Sequence, residues 1–113
     1  MIGLLMLAAV GAGAPQTAAF LTGNDLYENC SDGGVNRLTL CVPYVEGIFD
    51  ATNVQRALMK LPPIICSGIS VTASQIADVV HLYLKNHPER RQNPAAQLAV
   101  TALSEAFPCN KGG

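Results

Sequence analysis

The chain has 113 residues, half of them hydrophobic and only 13% charged, with a formal net charge of −1. That length fits one small domain, and so neutral a balance sets up no field to draw nucleic acid or an anionic membrane surface, so neither is expected as a partner. Four cysteines in a chain with no tryptophan, three tyrosines and three phenylalanines are the compositional feature that asks for an explanation.

The first twenty residues, MIGLLMLAAVGAGAPQTAAF, bear on it. An apolar stretch from Ile2 to about Val10 gives way to small residues, and Thr17-Ala18-Ala19 offers a small-x-small cleavage site before Phe20. The segment reads as a secretory signal peptide over residues 1–19, leaving 20–113 as a single helical domain. No Lys or Arg precedes the apolar stretch, so the usual positive start is missing. The other reading, an N-terminal buried or anchoring helix, meets the objection that the run is short for a bilayer and ends in Gly11, Gly13 and Pro15.

Exported chains meet oxidising conditions, where an even number of cysteines reads as disulfides. Of the three possible pairings, spacing ranks one first. Cys30 and Cys41 flank the turn-rich SDGGVN and can close a short loop, which leaves Cys66 to bind Cys109 and tie down the end of the chain. A zinc site would show cysteine pairs two to four residues apart and a redox pair would show C-x-x-C; neither spacing occurs.

In chain order, Thr22 with Asp25 three residues on predicts a short helix reaching Cys30, with Asp25 suited to the positive end of the helix dipole. From about Leu38 to Met59 a longer helix is expected, with Val42, Val45, Ile48 and Phe49 on one face. Pro43 and Gly47 interrupt it, so its regular part should follow Pro43. KLPPIICSGIS then makes an extended, proline-stiffened connection. Thr72-Ala73-Ser74-Gln75 fits a capping box, with Val71 and Ile76 placed as a hydrophobic staple. The helix it opens carries Ile76, Val79, Val80, Tyr83 and Leu84 on one face and stops before Pro88. Asn93-Pro94 supplies an N-cap and a first-turn proline for a last helix through about Phe107. Its stripe of Ala95, Leu98, Ala99, Ala102, Leu103 and Ala106 would let another helix approach closely, within the bundle or from a second copy. No segment shows sustained strand alternation. The fold expected is all-α, a small disulfide-stapled bundle of about four helices.

Chemistry is harder to find. The carboxylates are scattered, and Glu46 and Asp50, which share a helix face, read as a solvated pair. His81 lies off the apolar stripe, with Asp78 and Lys85 for neighbours, and reads as an exposed helix histidine. His87 reads as a helix-end residue whose cationic form suits the dipole. No convergent catalytic set, Gly-rich phosphate loop or metal-ligand spacing is visible, so neither an enzyme nor a cofactor is expected. The one dense group of charges is the connection NHPERRQN, Asn86 to Asn93. It sets His87, Glu89, Arg90 and Arg91 between two capped helices. Charge on a loop usually means solvation, but loops also carry recognition and Arg is favoured at interface centres.

Four stretches, GNDLYENC from Gly23, LCVPYVEGIFDA from Leu40, CSGISVTASQIADVVHLYLKNHPE from Cys66 and AFPC from Ala106, together resemble the Rap/Tai-type immunity proteins. These protect bacteria against peptidoglycan amidase toxins delivered by type VI secretion. The resemblance covers roughly Phe20 to Cys109, including all four cysteines; Pro43 and the CSGIS turn depart from the family's pattern. It implies a small helical periplasmic protein, free of the membrane once its signal is cleaved. Such a protein binds its cognate amidase and occludes the active-site cleft, often as a homodimer. On that reading a rigid loop plugs the cleft. The candidates are NHPERRQN (His87, Glu89, Arg90, Arg91) and then SDGGVNR (Asp32, Arg37). A periplasmic chaperone responding to acid or stress is the alternative, with His81 and His87 as its few titratable switches.

Overall fold

The structure, a computed structural model, describes residues 19–68 and 70–110. The expected signal peptide lies, but for its last residue, outside that range. Four helices fill the described chain: α1 (Gly23–Ser31), α2 (Val42–Leu58), α3 (Ala73–Asn86) and α4 (Ala95–Ala106). They form an all-α bundle without strands among the described residues. α3 packs against the other three helices and α4 closes the bundle over α1 and α2.

Local chemistry explains where the helices begin. Thr22 accepts from the Asp25 N–H while the Asp25 carboxylate accepts from the Thr22 N–H, a reciprocal capping box. Thr72 and Gln75 make the same exchange at the start of α3. Each cap satisfies N–H groups that a helix start would otherwise leave without partners.

α2 begins in a less ordinary way. Residues 37–41 form a π-helical turn, Arg37–Cys41, in which the Val42 N–H reaches back to the Arg37 carbonyl. An interior proline has no N–H to donate and its ring clashes with the carbonyl four residues earlier. Widening the helix by one residue just before Pro43 accommodates that defect without breaking the rod. At its other end α2 stops in a Schellman arrangement, with the Lys60 N–H bonded to the Ala57 carbonyl and the Leu61 N–H to the Arg56 carbonyl. Lys60 takes the left-handed conformation usually given to glycine, φ 60°,.

α4 starts one residue later than the Asn93-Pro94 pattern suggests. Pro94 is the cap and makes no side-chain bond. The Ala95 N–H instead donates to the Leu21 carbonyl at 2.9 Å, across an isolated antiparallel bridge between Thr22 and Pro94. A cap supplied by a distant backbone carbonyl removes the need for the Asn93 side chain.

The core contains Leu26 and Cys30 of α1, Val45 of α2, Ile76, Val80 and Leu84 of α3, and Leu98, Ala99 and Leu103 of α4. Burying each of the larger aliphatic side chains is worth roughly 1.5–3 kcal/mol. The small residues Ala95, Ala99 and Ala102 are buried within the bundle. The alanine stripe is therefore used internally, and only Ala106, at its end, is exposed.

Both disulfides are formed. Cys30–Cys41 closes the loop from α1 into the π-turn, and Cys66–Cys109 joins the long connection to the chain's end, each with 5.0 Å between Cα atoms. The connection is also held by hydrogen bonds. Asn53 Nδ2 donates to the Ile65 carbonyl, Arg56 Nε to the Pro62 carbonyl, and the Cys66 N–H to the Phe107 carbonyl. By loop entropy, the 43-residue closure of Cys66–Cys109 outweighs the 11-residue closure of Cys30–Cys41. The expected contributions are about 4 and about 3 kcal/mol. The double variant C66S/C109S should therefore lose more stability to urea than C30S/C41S, with the order reversed if the core cysteines Cys30 and Cys41 matter more as packed atoms than as cross-links.

Candidate partner-binding surface

The NHPERRQN connection is a built structure. His87 closes α3, a 3-10 turn follows over Pro88–Arg90, and successive N–H groups of Arg90, Arg91 and Asn93 bond the carbonyls of His87, Pro88 and Arg90. Two further bonds fasten the loop to α1. The Gly23 N–H donates to the Asn93 carbonyl and the Asn24 N–H to the Arg91 carbonyl, both at 2.8 Å. The first turn of α1 thus spends two of its free N–H groups on the loop's backbone.

The loop's side chains divide into two sets. Glu89 and Arg90 point outward, 63% and 50% exposed, with 3.8 Å between the Arg90 Nε and the Glu89 carboxylate. His87 Nδ1 lies 3.3 Å from the same carboxylate. Hydrogen bonds from its own backbone N–H and from His87 hold the Glu89 carboxyl below its usual range. Arg90 Nη1 donates to the Tyr83 hydroxyl at 2.7 Å, and the Tyr83 ring stacks at a tilt on His87. Arg91 turns the other way. Its guanidinium lies 3.8 Å above the centre of the Tyr27 ring, a cation–π contact,, and its buried Nε has no hydrogen-bond partner.

From Tyr27 a polar strip continues along the seam between α1 and α3. Tyr27 lies against His81, with ring centroids 5.5 Å apart, and His81 Nε2 is 3.0 Å from the Ser31 hydroxyl. Beyond Ser31 the SDGGVNR turn begins. Asp32 there accepts from the Gly34 N–H and is exposed. Arg37 is committed to Asp78, donating at 2.6 Å. The strip therefore links the two loops singled out in the sequence. Glu89, Arg90 and Asp32 are exposed along it, while Arg91 and Arg37 are engaged with the scaffold.

His81 is half-buried, where the helical pattern made it an exposed residue. A single helix's periodicity shows one apolar face, whereas α3 is covered on a second side by α1. Burial is the main cause holding the His81 ring below its ordinary value of 6.5; Arg37 and Lys85 push the same way and Asp78 opposes them. The Ser31–His81 pair has the spacing of a nucleophile and its base, but among the described residues no carboxylate bonds Nδ1, and Asp78 is engaged with Arg37. A triad needs that third group to orient and charge-stabilise the imidazole. No group of three His, Cys, Asp or Glu among the described residues is placed to hold a metal ion, and no described helix is long and apolar enough to cross a membrane.

Three residues that position the loop escaped sequence reasoning: Gly23, Tyr27 and Tyr83. The only local signal was a glycine directly after a capping threonine. A Cβ at Gly23 would lie 2.8 Å from the Arg91 carbonyl oxygen and 2.5 Å from Leu98 Cδ1, so the residue is fixed by close approach,.

A compact helical domain with two cross-links, carrying a rigid charged loop, is a scaffold for holding a surface in one shape. The family model of Rap1a immunity proteins matches residues 22–109, and the chain belongs to that family. Membership implies binding to a cognate effector toxin. No curated protein and no solved structure matches the chain.

Two outcomes follow from this geometry. G23A should lower stability by about 1–3 kcal/mol in urea unfolding, as overpacking against a backbone does; an unchanged midpoint would mean the loop yields freely. For His81, a folded-state pKa below the unfolded one means its contribution to stability is fully present above about pH 6.5 and is lost as pH falls below that value through the lowered folded-state pKa,. The groups facing the ring are Ser31 and Tyr27 of α1, Arg37 of the π-turn, and Asp78 and Lys85 of α3. H81Q should flatten this part of the stability profile, and a profile unchanged by H81Q would assign the pH dependence elsewhere.

Proposed function

We propose that the protein is a periplasmic immunity protein that binds the peptidoglycan amidase effector of a type VI secretion system and inhibits it sterically, with no chemistry of its own. Residues 1–19 would be its removed signal peptide and 20–113 the mature domain. The observation that carries the reading is the Asn86–Asn93 loop, shaped before any partner arrives. Its backbone is bonded to itself and to α1, and Glu89 and Arg90 stand at its exposed tip. Ordering a flexible segment on binding subtracts from affinity, so an inhibitor that plugs a cleft benefits from a loop already set.

The location follows from the target. An amidase delivered to the cell wall acts where peptidoglycan is, and two disulfides suit that oxidising compartment. The SDGGVNR turn is the second contact candidate, with Asp32 as its free charge. Arg37 and Arg91 act on binding through the scaffold, and His87 supports the tip through Tyr83 and Glu89. A homodimer would have to form through some surface other than the alanine stripe of α4, which is already covered.

The test is calorimetry of the oxidised protein against the amidase encoded beside it, with amidase turnover measured in parallel. Wild-type protein should bind and silence the enzyme, and E89A/R90A should weaken binding at least tenfold, with only a small fall in the thermal midpoint from the lost Arg90–Tyr83 bond. Absence of binding by folded, oxidised protein would overturn the proposal; capture of many unfolded clients under acid conditions would replace it with a chaperone role.

A further inference from the structure

The rod running from Val35 through the π-turn to Met59 leaves five large apolar side chains in water. Val35, Leu38, Val54, Leu58 and Met59 are 56 to 74% exposed. Within α2 the pattern sharpens into a stripe. Pro43, Gly47, Ala51, Val54 and Leu58 recur every three or four residues on the side away from the buried Val45, and all are exposed,. A Cβ added at Gly47 would meet nothing within 4 Å, so the middle of the stripe is open to a closely approaching chain. Exposed apolar residues grouped in this way on a small protein point to an interaction site.

One flank of the stripe is acidic. Glu46 and Asp50 sit four residues apart on successive turns, and neither takes part in an ion pair among the described residues. Like charges at that spacing weaken a helix, and a local penalty that the fold leaves uncorrected is characteristic of functional surfaces. Beside them, toward the start of α3, lies a depression of about 160 Å³ walled by Glu46 and Asp50 and lined by Phe49, Ser67, Thr72 and Ile76. A long cationic side chain can lay its methylenes on such a lining and its charge against the carboxylates.

Resting on the immunity reading, we infer that this face of α2 docks a segment of the effector that is apolar along its middle and carries Lys or Arg along the edge that meets Glu46 and Asp50. A second copy of the chain fits less well. In an antiparallel self-pairing each flank meets its own counterpart and the carboxylates gather together. In a parallel one they face the opposite flank, where Tyr44 and Gln55 carry no charge. With the pairing centred on Ala51, the middle of the stripe, neither orientation supplies the missing cations.

The experiment uses the full oxidised protein and the neighbouring amidase, comparing wild type with E46K/D50K and V54E/L58E, all at exposed positions. Both variants should bind at least tenfold more weakly, with unchanged thermal midpoints. Wild-type affinity should fall with added salt while that of E46K/D50K falls less. Wild-type binding that both variants match within twofold would overturn this inference and leave the immunity reading intact. No binding by wild type would overturn both. A wild-type dimer in sedimentation that V54E/L58E dissolves, with effector affinity unaltered, would overturn the inference by making a second copy the occupant.

Discussion

Three backbone hydrogen bonds between the start of α1 and the approach to α4 organise one end of the molecule. Leu21, Gly23 and Asn24 exchange them with Ala95, Asn93 and Arg91, across the bridge between Thr22 and Pro94. Helix starts leave N–H groups without partners, and here two starts solve that problem for each other. The solution requires the two chains to approach closely, which is why the position after the Thr22 cap is glycine. It also fixes where α3 must end and how the Asn86–Asn93 loop must run. The Arg91 side chain is then placed over Tyr27, and Arg90 is left at the surface.

The disulfides extend that constraint to the rest of the bundle. Cys30–Cys41 holds the far end of α1 to the π-turn, so α1 is fixed at both ends. Cys66–Cys109 holds the long connection against the segment after α4, where among the described residues Ile65 is the fully buried side chain and Ile64 and Val71 are partly buried. The matched domain, residues 22–109, is of a size at which a hydrophobic core is marginal,. A cross-link at the exposed Cys66, outside the core, stabilises a segment that would otherwise open early,. Rigidity at the loop is thus a property of the whole fold, since α1 can hold the loop only if α1 is itself held.

Those features differ in how far they can be read from sequence. The capping boxes at Thr22 and Thr72 were legible because each is settled within four residues, and the cysteine pairing because loop spacing constrains it. The π-turn was not, since Pro43 announces a defect in the helix without saying how the backbone absorbs it. The start of α4 was misplaced by one residue because its cap comes from Leu21, far away in the chain. His81 was misread because periodicity describes one helix against one core, and α3 has neighbours on more than one side. At the candidate site the sequence singled out the loop by its charge density, but it could not separate Arg90 from its neighbour Arg91. Residue type is the same; what differs is an aromatic ring from another helix.

That separation bears on how a binding surface of this kind is to be understood. Arg91, Tyr27 and Gly23 shape the loop from behind, so substituting any of them changes the position of Glu89 and Arg90 without removing an atom from the exposed tip. A loss of affinity there would reflect the energy of reordering the loop, and it would come with a fall in stability. Along the exposed stripe of α2 side chains end in water and support nothing beneath them, whereas at the tip Glu89 and Arg90 are exposed but Arg90 also holds the Tyr83 hydroxyl. Affinity lost at those positions with stability retained is the signature of direct contact. The fold thereby sorts its own residues: buried bonds at the α1–α4 bridge set the shape of the surface, and the exposed side chains on it are those whose replacement changes its chemistry with the least effect on that shape.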